Sequence, residues 1–444
     1  MYGSDVARLG PALEAPPKNP NGVDPSRASH DSRDLAAYTQ HRQATHPTLV
    51  DDLSREVYCM LGIPVDDIRM PSTVERIEAA IANKSPFLLS TPNLNFLINS
   101  QSDASFREAL VFSDLCPPDG MPLLWIGRLI GIPLGERVAG ADILEALQSK
   151  RSVQRPPKLF LFGGAEGIAA KAGQAINSVS DGLSCVGFLY PGFDSAQHMS
   201  SEKIISEINA SDADFLMVAL GAKKGQSWLR RNHGRLTIPV RAHLGATINF
   251  YAGTVTRAPL FFRRLGLEWL WRIKEEPMLW SRYLRDGIRL VALMFSSVLP
   301  LTLWVLWLRL MNDYKDENLT ITEAQDSQFY TISILGPATR PHANRIGAAF
   351  RAAIESNNQI IVNFSEASAI DARVLGLLLM LLKTINLKGG KLIFTGISPR
   401  LSILFRLYGM DPSPFSGDEL GILASHQGTK DTAPGEATAQ ASNL

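Results

Sequence analysis

The chain has 444 residues, 45% of them apolar, and its 44 basic and 43 acidic side chains leave a formal net charge of +1. That length is enough for two or three domains with packed cores. The near-balance of charge argues against a protein whose whole surface binds nucleic acid, so we expect no nucleic-acid partner. The three cysteines are far apart and no histidine spacing is typical of a metal site, so we expect neither a metal nor another cofactor.

The predicted elements begin after a polar leader. Residues 1–50 lack apolar periodicity and contain several prolines, which is typical of a disordered segment that is not a secretion signal. Residues 51–286 then alternate short apolar runs with helical segments, one of which is predicted over 93–112. The clearest apolar runs are 86–91, 158–162 and 215–220. This alternation predicts an α/β domain with a Rossmann-like parallel sheet covered by helices on both faces.

Basic and aromatic residues concentrate at the end of this region. Residues 257–289 contain eight basic side chains, four acidic ones and three tryptophans. Such a combination favours binding to an anionic membrane surface.

The next segment, 287–312, contains an uncharged run from Leu290 to Leu308 that is long enough to cross a membrane but includes Pro300. We expect a membrane element here, either one kinked span or two half-helices that enter and leave the same face, in preference to a buried soluble helix.

The chain continues as a second, small α/β unit over residues 317–412. Apolar runs predict three strands, at 329–334, 359–364 and 391–395. Helical periodicity predicts three helices, at 344–355, 374–384 and 401–408. The tail, 413–444, is polar and rich in small residues, so we expect it to be disordered.

Two polar elements follow apolar segments of the larger domain and are expected at the carboxyl edge of its sheet, where open α/β sheets bind ligands. They are Thr91-Pro92-Asn93 and Pro117-Pro118-Asp119-Gly120. A carboxylate at such an edge can accept a proton from a substrate hydroxyl, although the Pro-Asp-Gly sequence is also common in ordinary turns.

Two further motifs lie in the same domain. Gly163-Gly164 begins a helix, where backbone amides favour binding of a diphosphate. Asp212-Ala213-Asp214 precedes a strand, so we interpret it as a helix-to-strand connection and not as a metal site.

Together with Ala252-Gly253-Thr254-Val255-Thr256-Arg257-Ala258-Pro259 and Gly266-Leu267-Glu268-Trp269, these elements resemble the WecG/TagA/CpsF glycosyltransferase family (family twenty-six) over about residues 58–286. The resemblance implies an inverting, metal-independent enzyme at the cytoplasmic face of the bacterial inner membrane. It implies transfer of a hexose, N-acetylhexosamine or derivative from a UDP-sugar to a polyprenyl-diphosphate-linked saccharide. The product would be an exopolysaccharide or another cell-surface glycan.

The resemblance also implies roles for individual residues. Asp119 is the implied general base, and Thr91 and Asn93 match a pair beside the acceptor pocket. Nucleotide-sugar contacts are expected from Gly163, Gly164, Gly221 and Gln226. Diphosphate and membrane contacts are expected from Arg257, Arg263, Arg264, Arg272 and Arg282. Residues 221–226 read Gly-Ala-Lys-Lys-Gly-Gln where the family usually reads Gly-x-Pro-Lys-Gln-Glu, so the donor can differ.

The small C-terminal unit resembles a STAS domain. The matching stretches are 361–364, 370–376 and 389–396. In members that switch, a serine after the aspartate takes phosphate; here Ala372 and Arg373 follow Asp371, so the resemblance implies a constitutive docking module for a protein partner. A competing hypothesis for the whole chain is a catalytically degenerate membrane platform that regulates through this module. The sequence leaves self-association open.

Overall fold

The computed structural model describes residues 51–149, 155–179, 182–192, 198–311, 318–357 and 359–411. The leader 1–50 and the tail 413–444 lie outside these described residues. The described chain begins with an antiparallel hairpin of β1 (Val57–Met60) and β2 (Ile63–Asp66). All eight residues of these two strands are buried. The hairpin therefore lies between other parts of the protein and is not a surface ribbon.

A parallel sheet of five strands forms the centre of the larger domain, in the order β3-β7-β6-β4-β5. Its strands are β3 (Phe87–Leu89), β4 (Lys158–Gly163), β5 (Ser184–Leu189), β6 (Phe215–Ala219) and β7 (Val240–His243). Every residue of β3, β6 and β7 is buried, because helices cover both faces. The predicted parallel α/β fold is confirmed.

Eleven helices of the larger domain fall within the described residues. They are α1 (Met70–Ala82), α2 (Leu94–Ser100), α3 (Ala104–Val111), α4 (Met121–Leu129), α5 (Gly140–Ser149), α6 (Ile168–Val179), α7 (Glu202–Ala210), α8 (Ala222–Asn232), α9 (Thr247–Tyr251), α10 (Leu260–Arg264) and α11 (Glu268–Glu275). The segment 93–112, predicted to be helical, consists of two helices, α2 and α3. Asp103 caps α3 by accepting a hydrogen bond from the Phe106 amide at 3.0 Å, which ends α2 and starts a new helix.

The apolar segment forms one continuous helix. It comprises α12 (Trp280–Leu293), a π-helical turn over Met294–Val298, and α13 (Leu299–Met311). Pro300 lies directly after the π turn, where the wider winding accommodates the missing N–H group. The alternative of two half-helices that reverse direction is therefore wrong.

The small unit is a second sheet, in the order β11-β10-β9-β8. Its elements are β8 (Thr320–Gln325), β9 (Tyr330–Ala338), α14 (Ala343–Ser356), β10 (Gln359–Ile370), α15 (Ala372–Leu387), β11 (Lys391–Thr395) and α16 (Pro399–Leu407). All six predicted elements are present. The antiparallel edge strand β8 was not predicted, because its mostly exposed residues give no apolar signal.

The two domains share one hydrophobic core. Helix α15 is buried along most of its length, since β1 and β2 of the larger domain cover the side that faces away from its own sheet. Gly376 allows the closest approach: a Cβ atom there would lie 2.3 Å from the Val57 carbonyl oxygen. The C-terminal unit is therefore packed against the transferase-like domain by a helix face and not joined to it by a linker alone.

Candidate active site

Asp119 lies at the carboxyl edge of the five-stranded sheet, beside the end of β3. Its backbone N–H donates to the Pro92 carbonyl at 2.7 Å, which places it next to Thr91 and Asn93. The preceding carbonyl, of Pro118, accepts from the Val138 amide at 2.8 Å. The structure therefore brings together the two polar elements that the sequence placed at one edge.

The environment of Asp119 changes its acidity. Loss of solvent contact raises the pKa of Asp119 to about 7, and the carboxylates of Glu268 and Asp142 act in the same direction. The Arg137 guanidinium and the Gly140 amide oppose this rise. A carboxyl group with a pKa near neutrality is suited to general base catalysis, because a substantial fraction is ionised at neutral pH and the ionised form is basic enough to accept a proton.

Three arginines meet around Asp142 at the start of α5; we call Arg137, Arg257 and Arg263 the arginine cluster. Arg137 pairs with Asp142 at 2.8 Å and with Glu268 at 2.7 Å. Arg257 also pairs with Asp142, and Arg263 lies 3.4 Å from the same carboxylate. Within the described part of the chain, the buried Nε atoms of Arg257 and Arg263 have no hydrogen-bond partner. Such a cluster can bind additional negative charge.

The other predicted arginines are spread along the chain after this cluster. Arg272 pairs with Glu276 at 2.8 Å and lies over the Phe250 ring at 5.8 Å. Arg282 is exposed and lies over the ring of Tyr283 at 5.1 Å. The side chain of Arg264 lies outside the described part of the structure. The predicted set therefore divides into a cluster near Asp119 and a group that continues onto α11 and α12.

Thr91 and Asn93, the two residues predicted to lie beside the pocket for the acceptor substrate, have different environments. Thr91 is buried directly after β3, whereas Asn93 is half-buried and caps α2 by accepting from the Phe96 amide at 3.1 Å. The Asn93 carbonyl oxygen therefore already has a structural role. Contact of either residue with an acceptor stays a prediction.

Three glycines at the ends of β4 and β6 have different structural roles. Gly163 has a φ of +105°, and a Cβ there would lie 2.6 Å from the Ala219 carbonyl oxygen. The Gly164 amide donates to that same oxygen at 2.8 Å, so it is not available to a diphosphate as the sequence had suggested. Gly221 is exposed at the N-terminus of α8, with open space around it. Among these three, the position of Gly221 is the one best suited to a nucleotide.

Two residues of the altered 221–226 stretch have structural roles. The imidazole of His243 lies against Gly225, where a Cβ would come within 2.1 Å of the ring. Gln226 is completely buried, and its carbonyl oxygen accepts from the Ser90 hydroxyl at 3.2 Å. The structure therefore places Gln226 in a supporting position behind Thr91, which differs from the expected open contact with a nucleotide.

His243 itself was not singled out from the sequence. Burial lowers its pKa to about 4, so the ring is neutral at physiological pH, and its Nε2 atom has no partner among the described residues.

At the opposite edge of the sheet, Asp214 pairs with Arg155 at 2.8 Å and accepts from the Lys158 amide at 2.9 Å. The interpretation of Asp212-Ala213-Asp214 as a structural connection agrees with this arrangement.

The parallel α/β fold and the polar edge of its sheet are consistent with an enzyme, and comparison with known families gives the class. The profile of the "Glycosyl transferase WecG/TagA/CpsF family" matches residues 58–302, more than half of the chain, and the chain belongs to this family. The "STAS domain" profile matches residues 321–420. Both resemblances inferred from the sequence are confirmed, and the protein is a glycosyltransferase with a C-terminal STAS domain.

Several relatives carry a specific name. An N-acetylglucosaminyldiphosphoundecaprenol N-acetyl-beta-D-mannosaminyltransferase from Bacillus spizizenii is 28% identical over 221 residues, which cover 49% of this chain and 83% of that protein. A Staphylococcus aureus enzyme of the same name is 23% identical over 220 residues, covering 48% and 82%. The anti-sigma factor antagonist SpoIIAA, solved in its unphosphorylated form, is similar over 21% of this chain and 86% of its own, at 22% identity and a TM-score of 0.19.

Proposed function

We propose that the protein transfers a hexose, N-acetylhexosamine or derivative from a UDP-sugar to a polyprenyl-diphosphate-linked saccharide during cell-surface glycan or exopolysaccharide synthesis. The observation that carries this proposal is the half-buried Asp119, with its raised pKa, beside the arginine cluster at the carboxyl edge of the sheet. The named relatives support the acceptor class, since their printed name specifies N-acetylglucosaminyldiphosphoundecaprenol.

The chemistry assigns one role to each group. The Asp119 carboxylate takes the proton from the attacking acceptor hydroxyl, and the freed oxygen bonds to the anomeric carbon on the face opposite the leaving group. The bond from that carbon to the diphosphate oxygen breaks, and UDP leaves with the electron pair. The arginine cluster stabilises the negative charge that develops on the diphosphate. The configuration at the anomeric carbon is inverted.

The transfer assay decides between this proposal and the regulatory alternative. Full-length protein in membranes that contain a polyprenyl-diphosphate-linked N-acetylhexosamine is supplied with a panel of UDP-sugars, and released UDP is measured. We expect acceptor-dependent UDP release with one donor or a few related ones. Absence of release with every donor would favour a degenerate platform.

The dependence of this rate on pH follows from the acidity of Asp119. Because a pKa of about 7 means that the carboxylate loses its proton near neutrality, kcat/KM should rise with pH and level off above about 7. The measurement is initial transfer rate between pH 5 and 9 at subsaturating acceptor. A pH–rate profile in which kcat/KM rises with a midpoint near pH 4, where an ordinary aspartate titrates, would contradict the assignment of Asp119 as the base.

The location of the enzyme is proposed from the continuous helix α12–α13. Among the described residues, Pro277–Trp307 is the one helical stretch that could cross a membrane by length and composition, and an 18-residue window within it has a mean hydropathy of 2.0. One side of this helix is exposed and apolar along its whole length. The exposed side chains are Leu284, Ile288, Val291, Phe295, Leu299, Leu303, Leu306 and Leu310. They recur every three or four residues and so form one stripe.

The other side of the same helix contacts both domains. Near its start, Asp286 accepts from the Asn95 side chain of α2 at 2.8 Å. Near its end, Arg400 of the STAS domain lies over the rings of Trp304 and Trp307 at 4.7 and 5.0 Å. A spanning helix would carry these domain contacts into the hydrocarbon region. We therefore propose that the helix lies in the plane of the inner membrane, with both domains on the cytoplasmic face.

Charge on the exposed stripe should release the protein from lipid. Burying each large apolar side chain contributes about 1.5–3 kcal/mol, so Ile288→Glu with Phe295→Glu should weaken binding to anionic vesicles by about 10²-fold or more. These side chains are 63% and 70% exposed, so the protein should still fold. Vesicle sedimentation is the measurement.

A matched control uses apolar side chains on another surface. Val179 and Phe188 are 77% and 50% exposed and lie on α6 and β5. Val179→Glu with Phe188→Glu should leave vesicle binding unchanged. Equal effects of the two double variants would contradict the interfacial helix, and external protease digestion of a C-terminal tag in spheroplasts would show a span.

A further inference from the structure

Lys383 of helix α15 reaches from the STAS domain into the transferase domain. It is completely buried, and its Nζ atom donates to Asp52 and Asp114 carboxylate oxygens at 3.1 Å each. It also donates to the Ser113 carbonyl oxygen at 3.2 Å. A buried ammonium group is stable only where such acceptors surround it. This lysine therefore fixes the STAS helix to one particular segment of the other domain.

That segment leads directly to Asp119. The Asp114 carboxylate also accepts from the Leu88 amide of β3 at 2.8 Å, and the Asp114 amide donates to the Leu88 carbonyl at 2.8 Å. Two residues further on, the Cys116 amide donates to the Asp66 carboxylate at 2.6 Å. The segment that ends in Asp119 and strand β3, which Thr91 follows two residues after its end, are thus joined through Asp114, the residue that Lys383 holds.

A second buried cation strengthens the same junction. Arg55 is completely buried, pairs with Asp52 and Asp66 at 2.8 Å each, and donates to the Ser113 carbonyl at 3.0 Å. Lys383 and Arg55 therefore share Asp52 and the Ser113 carbonyl. Because these groups lie in a low-dielectric interior, removing one of them leaves a buried charge on the others uncompensated.

The start of α15 is also covered within this chain. Ala372 is buried, and the Arg373 side chain donates to the Val57 carbonyl of β1 at 3.0 Å. This face of α15 is thus occupied by the transferase domain, whereas the sequence predicted that the STAS domain docks a separate protein partner. The contacts at this end involve the hairpin and not the segment that carries Asp119.

We propose that the STAS domain acts in cis as part of the transferase, with Lys383 as a positioning residue for the segment 113–119 that carries the general base. This inference rests on the proposed function of Asp119. The STAS domain then serves catalysis by holding one loop in place, and its partner on the α15 face is its own chain.

The test compares two buried cations of the same interface in the full-length protein. Lys383→Met removes the tie to Asp114, whereas Arg373→Met removes a contact to the hairpin only. Since a displacement of about 1 Å at a reacting group can cost about 10²-fold, Lys383→Met should lower kcat by about that factor while KM for the donor stays within about twofold. Arg373→Met should lower thermal stability and leave kcat within about twofold of the wild type. Equal losses of kcat in the two folded variants would overturn the proposal.

Hydrogen–deuterium exchange gives a readout that does not depend on catalysis. Amides of residues 113–119 should exchange faster in Lys383→Met than in Arg373→Met, and unchanged exchange there would also overturn the proposal. If the wild type transfers no sugar, the proposed function fails, and exchange still decides whether Lys383 holds the segment.

A charge-matched variant covers the case in which Lys383→Met does not fold. Lys383→Met with Asp114→Asn removes one buried cation together with one buried anion, and the asparagine oxygen can still accept from the Leu88 amide. We expect this double variant to fold, to exchange faster over residues 113–119 and to show the same fall in kcat. Wild-type turnover in it would overturn the positioning role.

Discussion

Replacing Asp119 with asparagine is expected to lower kcat by about 10²–10⁴-fold, the usual contribution of a general base. The amide has nearly the same shape as the carboxylate, so the backbone bond from Asp119 to the Pro92 carbonyl should persist. Asparagine cannot accept the acceptor proton, however, and the rise of the rate with pH through about 7 should disappear. The measurement is initial rate of UDP release with saturating donor and acceptor.

The stability of the same variant provides the control. Because the folded pKa of Asp119 is raised above its unfolded value, ionising this group weakens folding progressively as pH rises from about 4 through about 7. Asp119→Asn should therefore have a higher Tm than the wild type at pH 8 and little gain at pH 4. Wild-type turnover in this variant, or a lower Tm at pH 8, would contradict the assignment.

Replacing Arg137 with methionine is expected to lower kcat by about 10²–10³-fold, the usual effect of removing one group that stabilises transition-state charge. Arg137 also opposes the rise in the pKa of Asp119, so its loss should move the acidic limb of the rate profile to higher pH. The two effects together distinguish a role beside Asp119 from a general loss of folding. Both are read from initial rates between pH 6 and 9.5.

Arg155→Met is the matched control for this change. Arg155 pairs with Asp214 at 2.8 Å at the opposite edge of the sheet, and its side chain is more exposed than that of Arg137. Its loss should leave both kcat and the pH profile unchanged. A similar loss of rate in the two variants, or an unshifted acidic limb in Arg137→Met, would contradict the place of Arg137 in the site.

Strands β3, β4 and β6 could be predicted because they are short apolar runs that are buried in the sheet, whereas the partly exposed β5 and β8 give a weaker apolar signal. The break between α2 and α3 falls in the polar run 99–103 of the predicted helical segment, and the cap at Asp103 that separates the two helices depends on one local hydrogen bond. The hairpin β1–β2 gives no clear alternation, since its buried strands pack against α15 of the other domain. Its position is a tertiary effect that local pattern does not encode.

The candidate site was predicted in part. Motif order placed Asp119 and Thr91 at one edge, and the structure joins them through Pro92. Arg137 was not among the predicted site residues, because its pairing with Glu268 joins residues 131 positions apart. Lys383 and Asp114 are separated by 269 positions. A lysine in an apolar helix was the available signal, although nothing in the sequence identifies its partners.

The most direct measurement of the central claim is the structure of the product formed by purified full-length protein. A UDP-α-N-acetylhexosamine donor and a polyprenyl-diphosphate-linked N-acetylglucosamine acceptor are supplied in anionic vesicles, without added metal. The account predicts a lipid-linked disaccharide with a β linkage, formed together with one UDP per transfer and absent with Asp119→Asn. A product that retains the donor configuration, or transfer that persists in Asp119→Asn, would contradict it.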